Sequence, residues 1–313
     1  MKKVLVLGGT GFLGRHLGAA FVAAGAQVSS AARGGPVRVD LTAMEPDELT
    51  ALLHRISPDV VVNAAGRAWR ATQHDMHEAN AVAVEKLVDS LAQLPGRPRL
   101  VQLGSIHEYG PGTVGAGTGE HHTPAPVTAY GRSKLAGSQA VIDGVRANRL
   151  DAVVLRLANV SGPGTHRGSL LGTIAAQLCA AADRRSSEPV ELRLAPLRAR
   201  RDFVDVRDVT DAVLAAAGLP YSYGEQPVVN IGRGVAIPMR ELVERMIELS
   251  GARVRIVEDP GAGAQRSDVE WQQLDISRAR RLLGWHPRRD MDESLRDLLA
   301  AELAAGATGA SSP

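Results

Sequence analysis

Apolar residues in the first half of the chain occur in two alternating patterns. Short, continuously apolar runs such as VLVL at 4–7 and DVVVNAA at 59–65 are typical of strands buried on both faces of a sheet. Between them lie stretches with apolar residues at helical spacing, the clearest running from about Met76 to Leu94 before a Pro-Gly pair. Further strands are expected at 99–105 and 151–158. This alternation predicts an α/β fold with a doubly wound parallel sheet.

The second half of the chain follows a looser pattern. Segments rich in glycine and proline at 161–168, 186–196 and 259–267 separate short helical stretches. We therefore expect a first domain over 1–160, to which the chain returns at about 203–220, and a smaller second domain over 161–305. The last residues, 306–313, have the sequence GATGASSP and are expected to form a disordered tail.

Composition and charge exclude several classes of protein. The chain has 36 Lys and Arg against 34 Asp and Glu, with no block of like charges, so neither nucleic acid nor an acidic membrane surface is an expected partner. No stretch is apolar enough for a membrane span or a signal peptide core, and we expect a soluble, cytoplasmic protein. The single cysteine, Cys179, excludes an internal disulfide, and no Cys/His spacing indicates a metal site.

A glycine-rich run, GGTGFLG at 8–14, directly follows the first predicted strand and opens a helix. Glycines at such a turn let the backbone approach a pyrophosphate, and the helix N-terminus attracts its negative charge. The run therefore predicts a dinucleotide site in a Rossmann-type sheet, although an ordinary strand-to-helix turn has a similar pattern. The expected cofactor contacts are Gly8, Thr10, Gly11, Phe12, Leu13 and Gly14.

The end of the second strand indicates which dinucleotide binds. An acid there accepts a hydrogen bond from the 2′-hydroxyl of NAD, whereas an arginine accommodates the 2′-phosphate of NADP. This strand ends at Ala32 and is followed by Arg33, so we expect NADP(H). Asp40 and Leu41, after the next short strand, are expected beside the adenine, although Asp40 fits equally well as an acid of the N-cap region of the following helix.

Three residues form a candidate catalytic group. Tyr130 and Lys134 are four residues apart at the start of a predicted helix and so share one face. The Lys134 ammonium is expected to lower the pKa of the Tyr130 phenol from its usual value of about 10, which would suit proton transfer. Such a pair is common on surfaces. Ser105 changes the interpretation, because it ends a predicted strand at the sheet edge where ligands bind.

Taken together, these motifs resemble those of the extended short-chain dehydrogenase/reductase superfamily, in its NAD-dependent epimerase/dehydratase group that acts on nucleotide-linked sugars. The resemblance implies that Ser105, Tyr130 and Lys134 are the catalytic triad and that Lys134 also holds the nicotinamide ribose. It further implies cofactor contacts from Ala64, Ala65 and Gly66. The matching stretches are GGTGFLG (8–14), VVNAAG (61–66), GSIHEYG (104–110), YGRSK (130–134), LRLANVSGPG (155–164), RDFVDVRDV (201–209) and LGWHP (283–287).

The same resemblance implies a binding site for a nucleotide-diphosphate sugar. Asn159 and Arg201 fall where the family contacts the diphosphate, and Arg266 is a further candidate. His107 is expected to contact the substrate or assist a proton relay, with a purely structural hydrogen-bonded role as the alternative. Asn80, on the long helix, is expected to be structural or close to the active site. The resemblance also implies a homodimer, since the long helices near 76–94 and 130–149 form a dimer bundle in many relatives.

The residues after Ser105 narrow the reaction. Sugar dehydratases of the family carry an Asp-Glu pair there, whereas this chain has Ile106 and His107, so dehydration and decarboxylation are not expected. Epimerases and dehydratases of the family recycle a tightly held NAD, whereas a reductase consumes reducing equivalents, so the expected NADP(H) favours net reduction. We therefore expect an NADPH-dependent ketoreductase acting on a nucleotide-diphospho 4-keto-6-deoxyhexose, with dTDP as the expected nucleotide, in a deoxysugar pathway of an antibiotic producer. The alternatives are an epimerase of the same fold and a non-catalytic NADP-binding regulator.

Overall fold

The computed structural model describes residues 1–68, 71–182, 189–218, 226–259 and 269–309. The strands are β1 Lys3–Leu7, β2 Gln27–Ala32, β3 Val37–Arg38, β4 Val60–Asn63, β5 Arg99–Ser105, β6 Asp151–Leu157, β7 Asn159–Ser161, β8 Val190–Leu194, β9 Arg200–Asp205, β10 Val228–Ile231, β11 Ala236–Pro238, β12 Val254–Glu258 and β13 Trp271–Gln272. The helices are α1 Phe12–Ala23, α2 Pro46–Ile56, α3 Gln73–His77, α4 Ala83–Ala92, α5 Ala129–Arg146, α6 Leu170–Ala182, α7 Val206–Gly218, α8 Met239–Ser250, α9 Ser277–Leu283 and α10 Met291–Gly309.

The central sheet has seven strands in the order β10-β6-β5-β4-β1-β2-β3, and every neighbouring pair is parallel. Its continuously apolar strands supply both faces in alternation. Val4 and Val6 of β1 point into one apolar cluster, and Leu5 and Leu7 point into the other. Both clusters are covered by helices, which confirms the predicted doubly wound α/β fold.

The long helix predicted from about Met76 begins three residues earlier and is interrupted. Thr72 caps α3 by accepting a hydrogen bond from Asp75 N at 3.1 Å, while the Asp75 carboxylate accepts one from Thr72 N. A π-helical turn at Glu78–Val82 then joins α3 to α4. The extra residue of this turn directs the buried Asn80 at α5, where its amide donates to Ser133 Oγ at 3.0 Å.

A second, smaller group of elements is built around its own core. Strands β11, β9 and β13 form a sheet with β7 attached to β9, and β8 pairs with β12. Helices α6, α8 and α10 cover a third apolar cluster. The predicted return segment contains α7, which packs on the core of the central sheet. Strand β10 is an edge strand of that sheet, and α9 packs on the same core. The domain boundaries themselves stay a prediction.

The C-terminal helix is longer than the sequence indicated. A disordered tail was expected from about Gly306, but α10 continues to Gly309 and residues 310–313 lie outside the described part. The alanine-rich sequence up to Ala305 has a high helix propensity, whereas the last four residues of the helix, GATG at 306–309, do not. None of the described helices has the length and apolar character needed to cross a membrane.

Candidate active site

The predicted dinucleotide turn has the geometry of a phosphate cradle. Gly8 has a φ of +75°, and a Cβ built on it would come within 2.7 Å of Ala65 N, so only glycine fits between β1 and the end of β4. A Cβ on Gly14 would overlap the carbonyl oxygen of Gly8. Gly11 is the N-cap of α1 and provides no side-chain cap, so the first N–H groups of the helix point outward. Backbone donors without a cap fit the pyrophosphate of NADP(H).

The second edge of this cradle comes from the loop after β4. Ala64 N donates to Leu7 O at 3.0 Å, and Ala65 N donates to the side chain of Asn63 at 3.1 Å, which fixes the loop against Gly8. Gly66 lies against the side chain of Asn80. The structure thus brings the predicted cofactor contacts of the glycine turn and of 64–66 together.

At the adenosine end of the predicted cofactor site, one of the two interpretations of Asp40 is wrong. Asp40 accepts hydrogen bonds from the backbone and hydroxyl of Thr42, which hold the pKa of its carboxyl below the usual value. The N-cap of α2 is Glu45, so the N-cap interpretation of Asp40 is wrong. Leu41 is buried in the sheet core, and its contact with adenine stays a prediction. Arg33 is exposed just beyond β2.

Arg38 is a further candidate for the adenosine end that the sequence did not indicate. In the register of the sheet, Arg38 of β3 lies beside Ala32 of β2, next to Arg33 in the chain, and it is also exposed. One arginine therefore directly follows β2 and another lies on the adjoining β3, at the end where the ribose is expected. The short run VRVD at 37–40 alternates apolar and polar residues. This alternation does not show that β3 pairs with β2, and the position of Arg38 depends on that pairing.

The three predicted catalytic residues converge. Ser105 is the last residue of β5. Thr128 caps α5 through a 3.0 Å bond from Gly131 N, so Tyr130 and Lys134 occupy its first two turns. The Tyr130 hydroxyl is hydrogen-bonded to the Ser105 side chain, and Lys134 Nζ donates to Leu103 O at 2.6 Å. The end of β5 and the start of α5 therefore bring the hydroxyls of Ser105 and Tyr130 together, with Lys134 one helical turn from Tyr130.

The acidity of Tyr130 differs from the sequence-based expectation. Burial raises the pKa of its phenol to about 12, the bond to Ser105 opposes this rise, and the charge of Glu108 adds to it. The predicted lowering by Lys134 is wrong for this arrangement, because Lys134 is not among the groups that shift the pKa of the phenol, and its ammonium donates to Leu103 O. Burial also lowers the pKa of Lys134 itself. The phenol is protonated at neutral pH, as it would be at its usual pKa of about 10, so it carries the proton that a donor needs.

The predicted substrate residues lie on the other side of Tyr130. The His107 ring packs edge-on against the Tyr130 ring, with 5.7 Å between centroids, and is hydrogen-bonded to Asn159. Burial and the nearby charge of Arg201 lower the pKa of His107 to about 4, so its imidazole is neutral. Asn159 Nδ2 donates to Asp202 O at 2.9 Å.

Burial lowers the pKa of Arg201 to about 10, which leaves it charged at neutral pH. Arg266 lies outside the described residues.

Gln272 is a candidate site residue that the sequence did not reveal. It is 2 % exposed, and neither polar atom of its side chain has a hydrogen-bond partner among the described residues. In the register of the smaller sheet it lies beside Arg201 and therefore on the same face. A buried amide normally has partners, so these atoms are suited to a bound polar molecule. Its strand has only two residues, too short for a periodic signal.

The acidic residues of the RDFVDVRDV stretch are structural. The Asp202 carboxylate accepts hydrogen bonds from the backbone N–H groups of Arg233, Gly234 and Leu274, although burial raises the pKa of this carboxyl to about 6. Asp205 pairs with Arg207, and Asp208 pairs with Arg289. Surface pockets beside Trp285 and beside Thr165 contain none of the residues of the candidate site.

Comparison with known proteins agrees with this geometry. Residues 4–232 match the model of the NAD dependent epimerase/dehydratase family, and the chain belongs to that family. It is 47 % identical over 308 residues to dTDP-6-deoxy-L-talose 4-dehydrogenase (NAD(P)(+)) of Kitasatospora kifunensis, covering 96 % of this chain and 95 % of the relative. It is 28 % identical over 306 residues to GDP-6-deoxy-D-mannose reductase of Pseudomonas aeruginosa, covering 96 % of each.

Two solved structures share the fold over nearly the whole chain. RMD from Pseudomonas aeruginosa complexed with NADPH has a TM-score of 0.83 at 25 % identity and covers 97 % of this chain and all of its own. MoeE5 in complex with UDP-glucose and NAD has a TM-score of 0.82 at 26 % identity, covering 97 % and 99 %. The predicted family, enzyme class and nicotinamide cofactor are therefore confirmed: the chain is an NAD(P)-dependent enzyme of the extended short-chain dehydrogenase/reductase type.

Proposed function

We propose that this protein is an NADPH-dependent ketoreductase that reduces the C4 ketone of a dTDP-linked 4-keto-6-deoxyhexose. The observation that carries the proposal is the group formed by Ser105, Tyr130 and Lys134, in which the Tyr130 phenol is hydrogen-bonded to Ser105. The two relatives support the substrate class, since their names describe oxidation or reduction of 6-deoxyhexoses linked to dTDP or GDP. Oxidation at C4 is the reverse of the proposed step.

In the proposed mechanism, bound NADPH supplies the hydride that C4 receives. Tyr130 donates its proton to the ketone oxygen as negative charge develops there, and Ser105 orients that oxygen by a hydrogen bond. Lys134 would hold the nicotinamide ribose, and with its ammonium turned toward the ring it would favour the phenolate left on Tyr130. Arg201 and Asn159 hold the diphosphate, and the amide of Gln272 offers a donor and an acceptor to the same molecule.

Charge at the adenosine end supports NADPH over NADH. Arg33 directly follows β2 and Arg38 lies on the adjoining β3, both are exposed, and the residues that end β2 include no carboxylate to accept from the ribose 2′-hydroxyl. A guanidinium binds a phosphate through paired, charge-assisted hydrogen bonds.

The groups around the reacting carbon support reduction over dehydration. Ile106 is buried in the sheet core, and His107 is neutral and bonded to Asn159. Glu108 is the acid nearest in sequence, but its carboxylate is occupied by Arg156, Ser138 and the N–H of Ser105. No carboxylate of this segment is therefore placed to remove a proton from the sugar.

The test is to mix the purified protein with NADPH and a dTDP-4-keto-6-deoxyhexose, and to follow absorbance at about 340 nm. We expect one NADPH consumed for each 4-hydroxy sugar formed, with the product identified by NMR and the GDP- and UDP-linked ketones as comparisons. Interconversion of sugars without NADPH loss would identify an epimerase instead. Tight NADPH binding without turnover of any of these ketones would indicate a non-catalytic regulator.

A further inference from the structure

A buried carboxylate lies directly behind the catalytic group. Glu108 is fully buried and belongs to the short turn that follows Ser105. Its Oε1 accepts hydrogen bonds from Ser105 N at 2.8 Å and from Ser138 Oγ at 2.9 Å. Its Oε2 accepts one from Arg156 Nε at 2.7 Å. One side chain thus connects the turn after β5, helix α5 and strand β6.

The helix side of this connection coincides with the catalytic face. Tyr130, Lys134 and Ser138 are spaced four residues apart on α5 and therefore lie one above another. The bond from Ser138 to Glu108 fixes this face relative to Ser105. On the strand side, a Cβ on Gly104 would lie 2.7 Å from Glu108 Oε1. The absence of a side chain at this position therefore makes room for the Glu108 carboxylate.

Arg156 holds the carboxylate from the opposite side. Its side chain is 3 % exposed, and its guanidinium lies over the Tyr109 ring, 4.4 Å from the centroid. Tyr109 in turn donates its hydroxyl proton to Asn230 Oδ1 at 2.8 Å. A buried charge pair with satisfied partners fixes geometry closely, because few other arrangements satisfy both charges.

Resting on the proposed function of Ser105, Tyr130 and Lys134, we propose that Glu108 is the positioning residue that sets their relative placement, with Ser138 and Arg156 as its partners. The carboxylate does not contact the substrate. It acts by fixing the backbone of Ser105 and the start of α5 to the same point. It also places a negative charge behind Lys134 and Tyr130, which favours the ammonium and disfavours the phenolate.

The test compares Glu108→Gln with Asp151→Asn, using steady-state rates with NADPH and the keto sugar. Asp151 is a matched control, because its carboxylate pairs with Arg99 at 2.8 Å at the opposite end of the same two strands. We expect Glu108→Gln to lower kcat by roughly 10- to 100-fold, the effect of a small displacement of a catalytic group, with KM and NADPH affinity changed less than about threefold. Asp151→Asn is expected to keep kcat within about twofold.

A milder variant keeps the test decisive if Glu108→Gln does not fold. Ser138→Ala removes only the bond to α5 and leaves the pair between Glu108 and Arg156 in place. We expect its kcat to fall at least about threefold while NADPH affinity is retained, because the reacting groups are displaced and the cofactor cradle is not. Wild-type kcat in Ser138→Ala, or in a folded Glu108→Gln, would overturn the proposal.

A second readout does not depend on turnover. The titratable groups next to Tyr130 and Lys134 are Glu108 and His107. Arg156 pairs with Glu108, and the charge of Arg201 acts on His107. The tyrosinate absorbance of each protein, minus that of its Tyr130→Phe derivative, follows the Tyr130 phenol alone. We expect the pKa of Tyr130 to be lower in Glu108→Gln than in wild type, and an unchanged value would count against Glu108. If wild type turned over none of the ketones, the proposed function would fail, and this titration would still decide the placement of Glu108.

Discussion

A tyrosine that donates a proton must still hold it at the working pH. Burial raises the pKa of Tyr130, so this proton is retained, and the phenol hydroxyl is hydrogen-bonded to the side chain of Ser105. His107 stays neutral because it is buried beside Arg201. The neutral state of His107 follows from its burial beside a charge, and the raised pKa of Tyr130 follows from burial, whereas a phenol is protonated at neutral pH already at its usual pKa of about 10.

Replacing the proton donor should separate chemistry from binding. We expect Tyr130→Phe to lower kcat by roughly 10²- to 10⁴-fold, the usual contribution of a positioned acid, while the Kd of NADPH changes less than about twofold. Initial rates at saturating ketone and a fluorescence titration with NADPH measure the two quantities. A variant with near-normal kcat would remove Tyr130 from the mechanism.

Replacing the first arginine after β2 should change the choice of cofactor. Arg33→Asp places an acid where the 2′-phosphate is expected, so repulsion should weaken NADPH and a hydrogen bond should favour NADH. We expect the ratio of Kd values, NADH over NADPH, to fall by roughly tenfold or more. Arg253→Asp makes the same charge change at an exposed position of the smaller unit and should leave the ratio unchanged. Equal ratios in the two variants would place phosphate recognition at Arg38 or elsewhere.

At the scale of elements, the site depends on how closely α5 approaches the π-helical turn that carries Asn80. Gly137 of α5 faces that turn, and a Cβ there would overlap the carbonyl oxygen of Asn80. Asn80 also bonds to Ser133 and to both backbone groups of Arg67, so the turn joins α5 to the loop after β4. This contact connects the helix of the catalytic group to the cofactor cradle.

The same substitution in two helices should therefore have opposite effects on stability. Gly137→Ala should lower the free energy of unfolding by about 1–3 kcal/mol, because the backbone of the π-helical turn must move. Gly18→Ala, in α1, meets no atom within 4 Å and should raise it by about 0.5–1 kcal/mol through helix propensity. Urea denaturation measures both. A Gly137→Ala protein as stable as wild type would mean that this approach can relax freely.

At the scale of the whole molecule, the pH dependence of stability reports on two buried groups that act in opposite directions. The folded-state pKa of Asp202 is raised to about 6, so the stability it contributes is complete at low pH and is lost as pH rises through about 6. The folded-state pKa of His107 is lowered to about 4, so its contribution is present above the unfolded value of 6.5 and is lost as pH falls toward 4.

Two variants should therefore tilt the stability curve in opposite senses between about pH 4 and 6. Relative to wild type, Asp202→Asn should make stability rise more steeply with pH, and His107→Gln should make it rise less steeply. Each change corresponds to a few kcal/mol at most, at about 1.4 kcal/mol per pKa unit. Denaturant titrations at several pH values measure the slopes. Parallel curves for all three proteins would show that neither group titrates differently on folding.

Much of the fold and of the candidate site could be predicted because it is encoded locally. The alternation of apolar runs and helical periods is a property of consecutive residues, and it was sufficient for the doubly wound sheet. The glycine turn after β1 and the spacing of Tyr130 and Lys134 are likewise local, and Ser105 could be added because parallel strands end at one edge. These features depend on neighbouring residues in the chain and not on contacts with distant ones.

The tertiary structure alone decided what depends on distant pairing and on burial. Gln272 became a site residue because its two-residue strand lies beside β9, and Arg38 became a cofactor candidate because β3 lies beside β2. Asp40 closes its own turn and is not the cap of α2. The high pKa of Tyr130 and the sequestered carboxylate of Glu108 arise from desolvation and from partners up to 48 residues away in the chain. Desolvation and strand register are set by the packed whole, so no local pattern in the sequence specifies them.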